Sequence, residues 1–365
     1  MARTSMAQAR SARVIVGVDT HKDVHVASAK DEVGRSLGRM TIPASEAGYR
    51  ALLAWSRGLG PVQAFGVEGT GCYGAGLARH LRREGEVVVE VIRPNRQTRR
   101  RHGKSDPADA DAAASAVISG EANGVPKSGD GVVEMIRVLR VARTTAIRSR
   151  TQAVNALHGL VVTAPRELRE TLQVLSGPRL VRTCAAFRPG VLVDPAQATK
   201  MALRSLGIRS LALQREVKEL DRELERLTHE ACPDLLGVYG TGADTAGALL
   251  LAAGDNAERL RSEAAFAKLC GVSPVEASSG KVTRHRLNRG GDRHANSALH
   301  RIVMVRLRWR HQATIDYVMR RTAEGKSKRE IVRCLKRYVA REIYGVLVAG
   351  GSLRRTDISM PAEIA

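Results

Sequence analysis

The stretch VIVGVDTHKDVHVASA (14–29) is the strongest indication of the fold, because it predicts two apolar strands separated by a short polar turn. Residues 14–19 are a largely β-branched run that ends in the carboxylate of Asp19, and residues 24–29 are typical of a second strand. The turn DEVG (31–34) then precedes a third extended segment near residues 38–42. The chain is therefore expected to open with three consecutive strands.

Strand and helix patterns alternate from there to about residue 125. Ser45 is suited to cap a helix, residues 64–68 and 87–92 are typical of strands, residues 73–83 of a helix, and another helix begins at Asp106. Three strands followed by helix, strand, helix, strand and helix is the order of an α/β RNase H-like (RuvC-like) domain. A Rossmann domain would begin strand, helix, strand, and no G-x-G-x-x-G motif follows the first strand.

The stretch from about residue 131 to 230 is helical in pattern and is interrupted by prolines at positions 165, 178, 189 and 195. Its last apolar residues recur near a seven-residue period: Leu206, Leu213, Val217, Leu220, Leu224 and Leu227. This spacing predicts either a coiled coil, which would imply dimerisation, or an amphipathic helix that packs within its own subunit.

Beyond residue 233 two short helices are expected around a Gly-x-Gly hairpin at Gly240 and Gly242. The hairpin can offer backbone N–H groups to phosphate, or it can simply turn a helical corner. A Ser/Gly-rich segment and a basic helical region follow. We expect an α/β domain at 1–128, a helical linker with a coiled coil at 129–232, a mainly α-helical domain at 233–350 and a tail at 351–365.

Charge indicates a polyanionic partner, because 59 Lys and Arg residues against 37 Asp and Glu residues give a net charge of +22. A field of that size attracts nucleic acid, although a generally basic composition with solvated faces is the plainer alternative. The charge is clustered, with 18 Lys and Arg residues between Lys281 and Arg341. The candidate nucleic-acid contacts are Arg96, Arg99, Arg100, Arg101, Lys104, Gly240, Gly242, Lys281, Arg284, Arg286, Arg289 and Arg293.

Other classes of protein are disfavoured. No apolar run approaches the roughly 18 residues of a membrane span, and the N-terminal stretch lacks the apolar region of a signal peptide. We therefore expect a cytoplasmic, nucleoid-associated protein without membrane contact. Five scattered cysteines without a C-x-x-C pair argue against a disulfide framework and against a zinc finger.

Four carboxylates are candidate ligands for a divalent cation such as Mg²⁺ or Mn²⁺: Asp19, Glu68, Asp106 and Asp109. The first two end apolar strands, and the last two share one helix face at positions i and i+3. Phosphodiester chemistry uses clustered carboxylates of this kind to hold metal ions. Asp106 before Pro107 can equally be a helix N-cap, and Glu68 a solvated strand end.

Neighbouring residues support or qualify this interpretation. The glycines that flank Glu68 at positions 66, 69 and 71 would allow close approach of a nucleic-acid backbone. Asp23 belongs to a turn, and Asp111 lies elsewhere around the helix of Asp106.

Three blocks in the first half resemble the DEDD transposases of bacterial insertion sequences, which are related to the DNA invertase Piv: GVDTHKDVHVA (17–27), GVEGTGCYG (66–74) and KSDPADADAAA (104–114). The second half is similar in three further blocks: LLGVYGTGADTAGALLLAAGD (235–255), LCGVSPVEASSGK (269–281) and LNRGGDRHANSALHRIV (287–303). The resemblance extends in order over residues 14–348.

The resemblance implies more than metal-dependent cutting. It implies a C-terminal transposase domain with a nucleophilic serine at Ser279, a site shared with the carboxylates, and a covalent phosphoserine intermediate. It further implies donor and target double-stranded DNA, a structured noncoding RNA as guide, and a homodimer or homotetramer. The sequence reads SSGK where Ser-Gly-Gly-Lys is common, so that Ser278 is an alternative nucleophile. From residue types alone, Ser279 would instead be a flexible linker residue.

Two other functions stay open at this point. A RuvC-like hydrolytic junction nuclease would use the same carboxylates with water and form no protein–DNA link. An inactive nucleic-acid-binding relic would need only the basic surface.

Overall fold

The computed structural model describes residues 13–91, 105–256, 259–280 and 285–349. The chain divides into two compact units. Of the described residues, the first contains those up to Asp130 together with Ala253–Arg261, and the second contains Gly131–Ala252 and those from Ser262 to residue 349. The expected division at residues 128, 232 and 350 stays a prediction.

Within its described residues, the first unit contains a five-stranded sheet and three helices. The strands are β1 Val14–Thr20, β2 Val24–Asp31, β3 Ser36–Pro43, β4 Val62–Glu68 and β5 Val88–Val91. The helices are α1 Glu46–Leu59, α2 Ala75–Arg83 and α3 Asp106–Ile118. The sheet order is β3-β2-β1-β4-β5, in which β1, β2 and β3 pair antiparallel while β4 and β5 are parallel to β1. This topology confirms the predicted RNase H-like α/β domain.

One face of the sheet carries the main hydrophobic core. Val14, Val16 and Val18 alternate along β1, are fully buried, and cluster with Leu52 of α1 and Leu77 of α2. Because side chains alternate between faces along a strand, these valines leave the residues at positions 15, 17 and 19 for the opposite face. The predicted cap of α1 is confirmed, since the Ser45 hydroxyl accepts a hydrogen bond from the N–H of Gly48 at 3.3 Å.

Helix α3 packs against the opposite face of the sheet, where it contacts one glycine in β1 and one in β4. A Cβ atom added to Gly17 of β1 would come within 2.1 Å of the Ala110 carbonyl oxygen, and one added to Gly66 of β4 within 2.6 Å of Val117 Cγ2. Only glycine permits such close approach of a helix to a strand. The expectation that Gly66 makes room for nucleic acid is therefore wrong, because α3 occupies that space.

The second unit is mainly helical. Its helices are α4 Val132–Thr163, α5 Arg166–Gln173, α6 Gly177–Ala185, α7 Pro195–Ala231, α8 Pro233–Gly237, α9 Ala243–Ala253, α10 Glu263–Leu269, α11 Arg293–Arg308, α12 Gln312–Ala323 and α13 Lys328–Ala349. A two-stranded antiparallel ribbon is formed by β6 Val275–Glu276 and β7 His285–Arg286. Prolines lie at or next to the starts of α5, α6 and α7, where their missing N–H costs nothing.

The heptad-like residues of α7 face helix α4 of the same chain. Val217, Leu224 and Leu227 are buried on a helix that packs along α4, and Leu206, Leu213 and Leu220 are half-buried. The seven-residue period thus serves packing within one subunit, which was one of the two alternatives. Dimerisation through this helix stays a prediction.

A cluster of partly buried ion pairs ties α9 into the second unit. Asp244 Oδ1 lies 2.5 Å from Arg140 Nη1 and 3.3 Å from Arg143 Nη1, and its Oδ2 lies 2.6 Å from Arg301 Nη1. Burial opposes ionisation of Asp244, but the three guanidinium groups outweigh it and lower the pKa of this carboxyl. No helix within the described ranges is both long enough and apolar enough to cross a lipid bilayer.

Candidate functional site

Strand register brings the first two predicted ligands together. Strands β1 and β4 are parallel neighbours, with Gly17 opposite Gly66. Asp19 and Glu68 each follow two residues after these glycines, so both carboxylates project on the α3 face at the same end of the sheet. Each residue is only 6% exposed. Neighbouring strands lie about 4.8 Å apart, which puts the two acids within reach of one ligand.

Helix α3 supplies the other two acids from its N-terminal turn. Ala110 contacts Gly17, and Asp106 lies one helical turn before it on the same face. The N-cap of α3 is Ser105 rather than Asp106, so the N-cap interpretation of Asp106 is wrong. Asp106 and Asp109 instead occupy the first turn, where the helix dipole favours negative charge.

His21, in the polar turn between β1 and β2, joins the cluster, although it was not among the predicted site residues. Its Nε2 atom lies 3.2 Å from Asp19 Oδ2 and 3.3 Å from Asp106 Oδ1. The side chain is 44% exposed, against 9% for Asp19. A histidine two residues beyond a strand-end aspartate is a signal that could have indicated it, because the turn returns the ring toward the strand end.

The electrostatics of the cluster favour a bound cation. Burial raises the pKa of Asp19 from its ordinary value of 3.8, and the negative charges of Glu68, Asp109 and Asp106 raise it further, while His21 opposes them. The other three predicted acids therefore all lie close enough to Asp19 to act on its carboxyl group. Like charges held this close are stabilised by a positive ion between them.

The donor atoms fit a divalent metal ion. One ligand atom each from Asp19, His21 and Asp106 lies within 4.8 Å of the others, and this is the single such group found in the described part of the chain. Carboxylate oxygens are the ligands that Mg²⁺ and Mn²⁺ prefer. The residues present at this end of the sheet thus suit the cation that the DEDD pattern implies.

Asp111 belongs to the packing of α3 rather than to this cluster. Its carboxylate accepts hydrogen bonds from Ser28 Oγ and, at 2.6 Å, from Arg39 Nη2. Burial works against ionisation, yet these two hydrogen bonds prevail and lower the pKa of Asp111. Asp23 is exposed in the turn between β1 and β2, as expected.

The predicted nucleophile lies in the second unit. Ser278 and Ser279 are exposed residues between ribbon strands β6 and β7, followed by Gly280 at a φ of 56°. A short ribbon therefore presents the serines, where residue types alone suggested a linker. Arg286, Arg289 and Arg293 are exposed along the same segment of chain. Seven other predicted contacts lie outside the described residues: Arg96, Arg99, Arg100, Arg101, Lys104, Lys281 and Arg284.

Small and polar residues in GGDRHAN (290–296) hold the base of the ribbon, where two backbone segments approach closely. A Cβ atom on Gly291 would come within 2.6 Å of the Leu269 carbonyl oxygen. Asn296 Nδ2 donates to the Cys270 carbonyl oxygen at 2.8 Å, and Lys336 Nζ donates to Asn296 Oδ1 at 2.6 Å. These contacts fix the chain on both sides of the serine segment.

The Gly-x-Gly hairpin joins α8 and α9 as expected. The N–H of Gly242 donates to Thr245 Oγ1 at 2.9 Å, and the N–H of Thr241 donates to the Val238 carbonyl oxygen at 2.9 Å. Gly240 has a φ of 88° and packs against Ile302 of α11. Two of the hairpin's N–H groups thus have partners inside the hairpin, and phosphate contact by Gly240 and Gly242 stays a prediction.

Comparison with known proteins identifies both halves of the chain. Residues 16–164 match the family model of the IS110 DEDD transposase, which is described as Transposase. Residues 232–318 match the model described as Transposase IS116/IS110/IS902 family, and the two matches together span about two thirds of the chain. The chain belongs to the IS110 family of transposases. A search of curated proteins finds no match to this transposase.

The matched regions contain the candidate residues of both units. The first match includes all four predicted carboxylates and His21, and the second includes Ser278 and Ser279. The IS110-family transposase is an enzyme that acts on DNA.

Proposed function

We propose that this transposase cuts and rejoins donor and target DNA under the direction of a structured guide RNA, with a carboxylate-bound metal ion and a serine nucleophile. The observation that carries the proposal is the convergence of Asp19, His21 and Asp106 at one end of the sheet, with Glu68 and Asp109 in the same electrostatic field. The exposed Ser279 segment and its fixed ribbon base support the second half of the proposal.

Asp19, Glu68, Asp106 and Asp109 would hold Mg²⁺ or Mn²⁺, which when bound neutralises charge that builds up on the phosphodiester. The Oγ atom of Ser279 attacks the phosphorus, and the proton of its hydroxyl passes, in net terms, to the departing 3′-oxygen. The bond from phosphorus to the 3′-oxygen breaks, which leaves a phosphoserine link to DNA and a free 3′-hydroxyl. Attack by the 3′-hydroxyl of another strand reverses these bond changes and releases Ser279. No high-energy cofactor is needed, because the phosphoserine ester retains the bond energy.

The basic surface would bind the nucleic-acid partners. A net charge of +22 with only 3% aromatic residues suits backbone and A-form shape recognition better than base stacking. The guide RNA would supply sequence recognition by base pairing, so the protein needs few base contacts. Because recombination joins two DNA sites, we propose that the enzyme acts as a homodimer or homotetramer.

The central test is to trap DNA on the protein. Purified transposase with Mg²⁺, guide RNA and labelled DNA should form a denaturation-resistant adduct, which Ser279→Ala should abolish and Ser278→Ala should retain. Asp19→Ala and Glu68→Ala should each reduce adduct formation by at least about 100-fold, as expected when transition-state stabilisation is lost. Asp23→Asn is the matched control, because Asp23 is exposed in the neighbouring turn.

Each alternative has its own outcome. An adduct that persists in Ser279→Ala and disappears in Ser278→Ala would move the nucleophile to Ser278. Cleaved ends without any adduct would indicate a hydrolytic nuclease. Equal activity without the RNA would exclude the guide, and binding without cleavage under every condition would indicate an inactive relic.

A further inference from the structure

His21 has an unusual setting for a histidine at the rim of an acidic site. Its ring is partly exposed, but the Nε2 atom is buried and makes no hydrogen bond of acceptable geometry among the described residues. That atom lies 3.2 Å from an Asp19 oxygen and 3.3 Å from an Asp106 oxygen. This nitrogen is buried between two carboxylates but is poorly placed to donate a hydrogen bond to either. Its position suits a further group that interacts with the nitrogen and with both carboxylates.

We propose that His21 is a nitrogen ligand of the metal site formed by Asp19 and Asp106, and that it shifts the preference of this site from Mg²⁺ toward transition metals such as Mn²⁺. The inference rests on the proposed function, which assigns only carboxylates to the metal. It adds a residue of different ligand chemistry, because imidazole binds transition metals well whereas Mg²⁺ prefers oxygen.

The separations agree with ligation of one ion. Ligand atoms at about 2.1 Å from a six-coordinate metal lie about 3 Å apart when they occupy neighbouring positions. The contacts of His21 Nε2 with Asp19 Oδ2 and Asp106 Oδ1, at 3.2 and 3.3 Å, are close to that value. All three ligand atoms lie within 4.8 Å of one another, so one ion can contact all of them.

The backbone keeps His21 in place. The N–H of His21 donates to the Val24 carbonyl oxygen at 3.1 Å, which closes the turn between β1 and β2. His21 also follows Asp19 by two residues, so the ring and the carboxylate are supported by one short and hydrogen-bonded segment. The exposed side of the ring leaves an open approach for water or a phosphodiester.

A different role would have the opposite effect on metal binding. If His21 acted as a positive counter-ion for the carboxylates, it would compete with the metal, and its removal would tighten metal binding. If it acted as a ligand, its removal would weaken the binding of Mn²⁺ more than that of Mg²⁺.

The experiment measures metal binding rather than recombination. Full-length protein is loaded with Mn²⁺, and pulsed electron paramagnetic resonance is used to detect nitrogen-14 coupling from a coordinated imidazole. We expect this coupling in the wild type and its loss in His21→Gln, which replaces the nitrogen by an amide oxygen. Titration should show Mn²⁺ affinity falling by at least about tenfold in His21→Gln, with a smaller change for Mg²⁺.

Two control variants separate the possible failures. Lys22→Gln alters an exposed residue of the same turn and should retain both the coupling and the affinity. Asp19→Asn should abolish specific Mn²⁺ binding. Asp19-dependent Mn²⁺ binding without nitrogen coupling would overturn the role of His21 and leave the carboxylate site intact. Tighter binding in His21→Gln would overturn it in favour of the counter-ion, and no Asp19-dependent binding in the wild type would overturn both proposals.

Discussion

At the level of single residues, the ionised carboxylate of Asp19 lowers the stability of the folded protein when no metal is bound. Asp19 is buried beside other acids, and both burial and their charges raise the pKa of its carboxyl. A folded-state pKa above the unfolded one means that ionisation opposes folding. The stability associated with the protonated form is complete at pH below 3.8 and is lost as pH rises through the raised value. A bound cation would reverse this penalty.

The variant Asp19→Asn should therefore be more stable than the wild type at pH 7 when chelator removes divalent ions. Each kcal/mol gained would raise the melting temperature by about 2–4 °C in a domain of about 150 residues or more. The gain should shrink as pH falls toward 3.8, where the wild-type carboxyl is itself protonated. Saturating Mn²⁺ should reverse the order of the two melting temperatures. Calorimetry across pH with and without metal is the measurement.

Asp31→Asn is the matched control, because Asp31 is also a buried acid at a strand end. Its Oδ1 accepts hydrogen bonds from the N–H groups of Val33 and Arg35, at 3.1 and 2.7 Å. The amide should gain no stability there, since it weakens those bonds. If the metal-free Asp19→Asn variant melts below the wild type at pH 7, the destabilisation attributed to burial and charge repulsion at Asp19 is contradicted.

At the scale of the element, the site depends on how closely α3 lies on β1 and β4. The helix contacts the glycines at positions 17 and 66, which lie opposite each other in the parallel register. That contact sets the depth of α3, and with it the distance from Asp106 to Asp19. Two glycines far from each other in the sequence are thus structural requirements of one metal site.

The variant Gly17→Ala should destabilise the first unit and impair the site together. The added Cβ would lie 2.1 Å from the Ala110 carbonyl oxygen and 2.2 Å from the Ala114 nitrogen, so α3 must move. Overpacking of this kind costs about 1–3 kcal/mol or more. Denaturant unfolding and Mn²⁺ titration on the same samples are the measurements.

Gly58→Ala provides the control, because Gly58 lies in α1 with no atom within 4 Å of an added Cβ. Alanine favours the helix, so this change should leave stability equal or higher by up to about 1 kcal/mol. If Gly17→Ala unfolds at the wild-type midpoint and binds Mn²⁺ normally, then α3 does not position the site.

At the scale of the whole molecule, the positive charge should govern nucleic-acid affinity. Replacement of the exposed Arg286, Arg289 and Arg293 by glutamine should weaken binding to all DNA sequences alike. If each arginine contacts one phosphate, the slope of log affinity against log salt should fall by about 3 in magnitude for the triple variant. The measurement is fluorescence anisotropy of labelled DNA at salt concentrations from about 50 to 200 mM, where the salt dependence of affinity is large.

Arg166→Gln serves as the control for that series. Arg166 is exposed but forms an ion pair with Glu170 at 2.8 Å on the same helix. Its loss should change the salt slope little. An unchanged slope in the triple variant would exclude these arginines as phosphate contacts.

The order of the elements could be predicted from the sequence, and the four acids could be chosen from it as candidate ligands. Alternation in residues 14–29, the Ser45 cap and the prolines of the helical region are local signals, and the structure confirms the elements they predict. The acids could be chosen because a carboxylate at the end of an apolar strand needs a reason to be there. The seven-residue period of α7 could also be recognised in the sequence. The helix that it packs against could not, because the same heptad pattern serves packing within one chain and between two chains.

Which residues meet at the site depends on the three-dimensional packing. The register of β1 with β4 pairs Gly17 with Gly66, and the depth of α3 on those glycines places Asp106 near His21. Such contacts depend on packing between segments about 50 to 90 residues apart, which no local pattern encodes. The same reason explains why His21 was missed and why Gly66 was misassigned to nucleic acid: each role belongs to a neighbour that is distant in the sequence.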